Sequence, residues 1–216
     1  MQRHMLIFIH GGESFRSYDA YMHWLQHEYV SYMLDPWKQK EDEKSWKDHL
    51  ASAFSRRIGD VYMPQMPDKK NAKYHEWKIT FEAFIWQIHS RSDRITLIGN
   101  SLGGCFLMKY FSEQNSFPKE KLEAIHLVAA CIEEWDFRRP ENFEFLKAHP
   151  NLHIWHAEDD SIVPFSVAQE LQILIPSAKY HFFPREKEYG HFSPREKIHI
   201  FSELEDTLLS GKEHRS

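Results

Sequence analysis

The chain has 216 residues, with 27 lysines and arginines against 32 aspartates and glutamates for a net charge of −5, and it is 42% hydrophobic and 15% aromatic. This globular profile excludes a disordered chain or a disulfide scaffold; a chain of this length buries roughly 70% of its unfolded surface as one large domain or two small ones. The mild acidity opposes nucleic-acid binding, which needs a basic face, and the opening apolar run Met5–Ile9 is too short for a secretory core or a membrane span, so a cytoplasmic protein with no nucleic-acid or membrane partner is expected.

The first expected strand is Met5–Ile9, and it ends in His10-Gly11-Gly12. Helical spacing follows in Tyr18, Tyr21, Met22, Leu25, Tyr29, Tyr32 and Met33, and again in Trp46, Leu50, Ala53 and Phe54. The charged stretch Trp37–Lys47 between them reads as a solvated face, and the whole forms a helical insertion over about residues 13–57. A strand at Asp60–Met63 and a helical stripe through Trp77, Phe81, Phe84, Ile85 and Ile88 come next. Strands are then expected at Arg94–Ile98, Ala124–Ala129, Leu152–Trp155 and Lys179–Phe183, with further helical spacing through Val167, Ala168, Leu171 and Leu174. Ser193, Pro194 and Glu196 form a capping box that opens the last helix. Between the fourth and fifth strands, residues 131–150 read either as a short lid and pocket wall or as aromatics packed onto the domain. Strands alternating with helices imply a doubly wound α/β fold with a parallel sheet of about six strands, and no Gly-, Ser- or Pro-rich linker divides residues 1–216, so a single domain is expected. Cys105 and Cys131 lie in apolar stretches and read as free thiols.

The chain has only eight glycines, six of them in three places: Gly11 and Gly12, then Gly99, Gly103 and Gly104, then Gly190. The middle cluster, ITLIGNSLGG followed by CFLMKYF, sets G-x-S-x-G between a strand and a helix. That pattern puts Ser101 on a tight turn at a helix N-terminus, where the flanking positions must lack bulk and free N–H groups face a developing oxyanion. A serine needs a base, and the base needs an acid. The turn HAEDDSIVP offers Asp159 or Asp160, each of which reads equally as an Asx turn or a helix cap. EYGHF sets His191 on a loop after the last strand. Backbone N–H groups at Gly12 and Leu102 are the candidate oxyanion donors, and His10, Trp135 and Phe137 are candidate pocket residues. No G-x-G-x-x-G, G-K-[ST], H-E-x-x-H or paired C-x-x-C occurs, and His153 and His156 fall on opposite sides of a strand, so neither metal nor cofactor is expected.

Taken together, IHGG, IGNSLGG, HAEDDSIVP and YGHF resemble the α/β-hydrolase superfamily, and within it the small single-domain serine hydrolases typified by retinoblastoma-binding protein nine. The order Ser101, Asp160, His191 matches that family's nucleophile, acid and base. The resemblance implies a six-stranded parallel sheet, and it assigns the acid to Asp160, with Asp159 as the fallback. The region from Glu13 to Arg57 is longer than the family's minimal link. The expected activity is hydrolysis of a carboxylic ester or related small acyl compound through an acyl-serine, the acyl compound being the only partner indicated. The alternatives are a catalytically silent binding protein on the same scaffold, or a thioesterase or small-peptide hydrolase using the same residues.

Overall fold

The computed structural model describes residues 3–29, 45–192, 198 and 200–209. Six strands, β1 (His4–Ile9), β2 (Gly59–Tyr62), β3 (Arg94–Asn100), β4 (Leu122–Val128), β5 (Leu152–Ala157) and β6 (Lys179–Phe183), form one sheet in the order β2-β1-β3-β4-β5-β6. Every pairing is parallel. Strand alternation divides the apolar residues between two cores: Met5, Ile7 and Ile9 enter one, Leu6 and Phe8 the other. Burial on both faces is what nearly continuous apolar strands require, and parallel crossovers supply it by laying helices on each side.

One layer holds α3 (Tyr74–Ile88), α4 (Leu102–Ser112), α5 (Glu144–Ala148) and α6 (Phe165–Leu174), which bury Trp77, Phe81, Phe106, Leu146 and Leu171. The opposite layer holds α2 (Trp46–Arg57) and α7 (Ser202–Leu209), which bury Trp46, Leu50, Phe54, Leu204 and Leu208 against Trp155 and Phe183. Each such fully buried large side chain contributes about 1.5–3 kcal/mol. Local chemistry sets the helix starts. Ser45 N–H donates to Asp48 Oδ2 at 2.9 Å at the head of α2, and Tyr74 N–H donates to Asp136 Oδ2 at 2.6 Å at the head of α3.

One helical expectation turns out differently. The aromatic stripe beginning at Tyr18 forms α1 (Tyr18–His27), but no residue of α1 is buried; Trp24 instead faces the cleft described below. Tyr32 and Met33 lie outside the described residues, as does the capping box Ser193-Pro194-Glu196, and the terminal helix described is α7, starting at Ser202. Among the described residues no helix is long and apolar enough to cross a membrane.

The strand order reverses direction after β2: the chain leaves β1 to one side for β2 and returns to the other side for β3. The carboxyl ends of β1 and β3 therefore flank the switch point where open α/β sheets form a crevice. The first and second glycine clusters lie at those ends.

Candidate active site

Ser101 follows β3 directly and precedes α4. Its backbone, at φ 54° and ψ −121°, lies in a region that non-glycine residues rarely adopt. Close approach explains the neighbouring glycines. A Cβ on Gly99 would lie 2.6 Å from the Gly103 carbonyl oxygen, and one on Gly103 would collide with the Ile9 carbonyl at the end of β1. Ser101 N–H donates to Val128 O at 2.9 Å, which ties the turn to β4. Leu102 is the first residue of α4, where N–H groups have no intrahelical acceptor, and it lines the same cavity as Gly12.

Three side chains distant in sequence meet beside this turn. Ser101 Oγ lies 2.9 Å from His191 Nε2, and His191 Nδ1–H donates to Asp160 Oδ2 at 2.8 Å. The Asp160 carboxylate is further held by the N–H groups of Ile162 at 2.8 Å and Val163 at 2.9 Å, both on Oδ1. Those bonds leave it buried yet fully hydrogen-bonded, the condition for keeping a charge out of water. With Nδ1 committed to the carboxylate as donor, Nε2 presents its lone pair to the hydroxyl. The two neighbouring aspartates divide their work: Asp159 Oδ1 accepts the Gly190 N–H at 3.1 Å and so holds the loop bearing the imidazole.

Ser101 opens into a cavity of about 600 Å3 whose walls include Gly12, Phe15, Trp24, Leu102, Ile132, Trp135, Ile162 and Val167. Carboxylates stand around it at Glu13, Glu133, Glu134 and Glu170. Glu13 pairs with Lys70 at 3.3 Å and Glu170 with Arg139 at 2.5 Å, while burial and the neighbouring Glu133 raise the Glu134 carboxyl above its ordinary range. Cys131, a free thiol, also lines the cavity, and Cys105 is buried behind it.

The candidate pocket residues separate. Trp135 lines the cavity and is 53% exposed, with the Arg16 guanidinium 5.9 Å from its ring centroid. Phe137 does not line it: the ring is fully buried, edge-on to Trp77 at 5.2 Å and Tyr74 at 5.8 Å, because the excursion folds back into the core there. His10 does not line it either. Met66 N–H donates to His10 Nε2 at 2.9 Å, which leaves Nδ1 protonated and donating to the Gly11 carbonyl at 2.6 Å. Burial lowers its pKa, and neutral His10 thus clamps the glycine turn against the loop before α3. His153 stacks on Trp155 on one face of β5, and His156 packs toward Phe165 on the other, its Nε2–H bonded to Val163 O at 2.9 Å.

Sequence reasoning missed Lys47 and Asn100. Lys47 Nζ donates to Asn100 Oδ1 at 2.8 Å, immediately before the serine. Of the charged stretch expected to be solvated, residues 37–44 lie outside the described residues; at Lys47, α2 turns the ammonium inward, and the adjacent Trp46, which is fully buried, was the one available signal.

No family model matches the chain and no curated protein matches it. Solved structures do. The ydeN gene product of B. subtilis is 16% identical, with 95% of this chain and 97% of that one covered at a TM-score of 0.66. A meta-cleavage product hydrolase from Pseudomonas fluorescens is also 16% identical, covering 97% and 90% at a TM-score of 0.59. XC6422 from Xanthomonas campestris, described as a serine hydrolase without a lid, is 14% identical, covering 97% and 81% at a TM-score of 0.54. The chain has the α/β-hydrolase fold, with the six-stranded parallel sheet that its motifs led one to expect.

Proposed function

We propose that this α/β-hydrolase-fold protein is a serine hydrolase that cleaves a carboxylic ester or related small acyl compound through an acyl-serine intermediate. The observation that carries the reading is the continuous chain from Ser101 Oγ to His191 Nε2 at 2.9 Å and from His191 Nδ1 to Asp160 Oδ2 at 2.8 Å, opening into a cavity. Similarity of fold to proteins named as hydrolases supports it.

In this mechanism His191 Nε2 takes the Ser101 proton as Oγ attacks the acyl carbon. Asp160 holds the imidazole in one orientation and offsets the charge of the imidazolium. The tetrahedral oxyanion lies against the N–H groups of Gly12 and Leu102, where removing one such donor costs about 10²–10³-fold in rate. His191 returns the proton to the leaving alcohol; water, activated by the same nitrogen, then hydrolyses the acyl-serine. The cavity walls, chiefly Phe15, Trp24 and Trp135, receive the acyl or alcohol group.

The test is steady-state hydrolysis of p-nitrophenyl acetate by the wild type and by Ser101→Ala. Turnover by the wild type and its loss in the variant are expected; equal turnover in both contradicts the reading.

A further inference from the structure

Among the polar groups that this mechanism leaves unused, the half-buried Lys47 has the most definite surroundings. Its ammonium lies 5.2 Å from the ring centroid of Phe8 and 5.6 Å from that of Trp46, and it donates to Asn100 Oδ1. Asn100 is itself buried, and its Nδ2 donates to Val128 O at 3.2 Å. The same carbonyl accepts the Ser101 N–H at 2.9 Å. Lys47, Asn100, Val128 and the backbone of the strained serine therefore form one hydrogen-bonded chain. The preceding residue reaches the other half of the site: Trp46 Nε1–H donates to Phe192 O at 2.9 Å, just beyond His191, where Phe192 has φ 51°. The first turn of α2 thus touches both the nucleophile turn and the histidine loop.

We propose that Lys47 is a positioning residue, which acts through Asn100 to hold the Ser101 turn in its reactive conformation, so that α2 serves the active site. The inference rests on the serine-hydrolase reading. A positive-φ residue other than glycine persists only where its surroundings over-determine it, and two donors converging on Val128 O supply that restraint. A lysine at the surface would meet no such demand. Here burial lowers the ammonium pKa to about 8, a desolvation cost that packing alone would not justify. The charged and titratable groups acting on or through it are Asp48 on α2, Lys69 in the loop before α3, and His10 after β1.

The test compares Lys47→Met, Asn100→Ala, the double variant, Lys47→Arg and Ser101→Ala, using p-nitrophenyl acetate kinetics and thermal unfolding. Lys47→Met and Asn100→Ala are each expected to lower kcat about 10–100-fold with KM within about twofold, the pattern of a lost transition-state alignment. The double variant is expected to be no worse than either single one, because both break the same chain. Lys47→Arg, which keeps a cationic donor, is expected to recover most of the rate. Wild-type kcat in Lys47→Met, or losses that multiply in the double variant, would overturn the proposal. If Lys47→Met does not fold, Asn100→Ala decides: wild-type kcat there overturns it, and a selective kcat loss supports it. Ser101→Ala separates the two levels of the argument, since activity surviving in that variant sinks the hydrolase reading itself, whereas an inactive Ser101→Ala beside a fully active Lys47→Met sinks only the role of Lys47.

Discussion

Asp160 Oδ2 accepts the His191 Nδ1–H at 2.8 Å, while one residue earlier Asp159 Oδ1 accepts the backbone N–H of Gly190 at 3.1 Å. Adjacent carboxylates are thus assigned to a side chain and to the main chain of the same loop. The two substitutions should separate. Asp160→Asn is expected to lower kcat on p-nitrophenyl acetate by about 10³–10⁴-fold, because an amide cannot hold the imidazole in the required tautomer. Asp159→Asn keeps an oxygen acceptor for Gly190 and should lose only a few-fold. The reverse ranking would move the acid by one residue.

Trp135 and Phe137, two positions apart, should report different things. Trp135 is 53% exposed over the cavity, so Trp135→Ala should leave the melting temperature nearly unchanged and raise KM for esters with bulky acyl groups. Phe137 is fully buried, and Phe137→Ala should destabilise the fold by about 3–5 kcal/mol. Thermal unfolding together with KM for a short and a bulky ester distinguishes them; a Trp135→Ala variant with unaltered KM for both would remove that wall from the site.

Stability should fall in mild acid. Burial lowers the pKa of His10, His126, His156 and His181, and takes that of His153 down to about 4. Trp155 Nε1–H donates to His126 Nδ1 at 3.2 Å, a bond that requires the nitrogen to be unprotonated. The ordinary histidine pKa of about 6.5 applies once the chain unfolds, so between that value and the depressed folded values the unfolded state binds more protons. The loss of stability therefore begins as pH falls below about 6.5 and is complete only below the folded pKa values, near 4 for His153. Urea unfolding at pH 7 and pH 5 should show a decrease of at least about 1 kcal/mol, and equal stability at the two pH values would contradict the burial of these imidazoles as neutral groups.

The central strands were legible because they are short, apolar on both faces and bounded by turn residues; the structure extends β1 by one residue and β3 and β5 by two, to Asn100 and Ala157, moves the bounds of β2 and β4 by one or two residues, and leaves β6 at Lys179–Phe183. The catalytic candidates were legible because G-x-S-x-G and the D-x-x-V-P turn constrain backbone as well as side chain. Other residues were not. Whether His10 faces the cavity or the loop before α3 depends on Met66, which lies 56 residues away. Phe137 and Trp135 look alike in sequence, and only the fold of the excursion, with Trp135 at φ 36°, sends one inward and the other over the cleft. Lys47 was hidden by its charged neighbours: apart from the adjacent Trp46, nothing local distinguishes an ammonium that finds a buried asparagine from one that finds water.

The central claim, that Ser101 is a nucleophile activated by His191, is tested most directly by intact-mass spectrometry after treatment with a fluorophosphonate, followed by peptide mapping. One adduct per chain on the peptide containing Ser101 is expected, formed much more slowly in His191→Ala and absent in Ser101→Ala. No adduct on the folded wild-type protein, or an adduct that persists in Ser101→Ala at the wild-type rate, would contradict it.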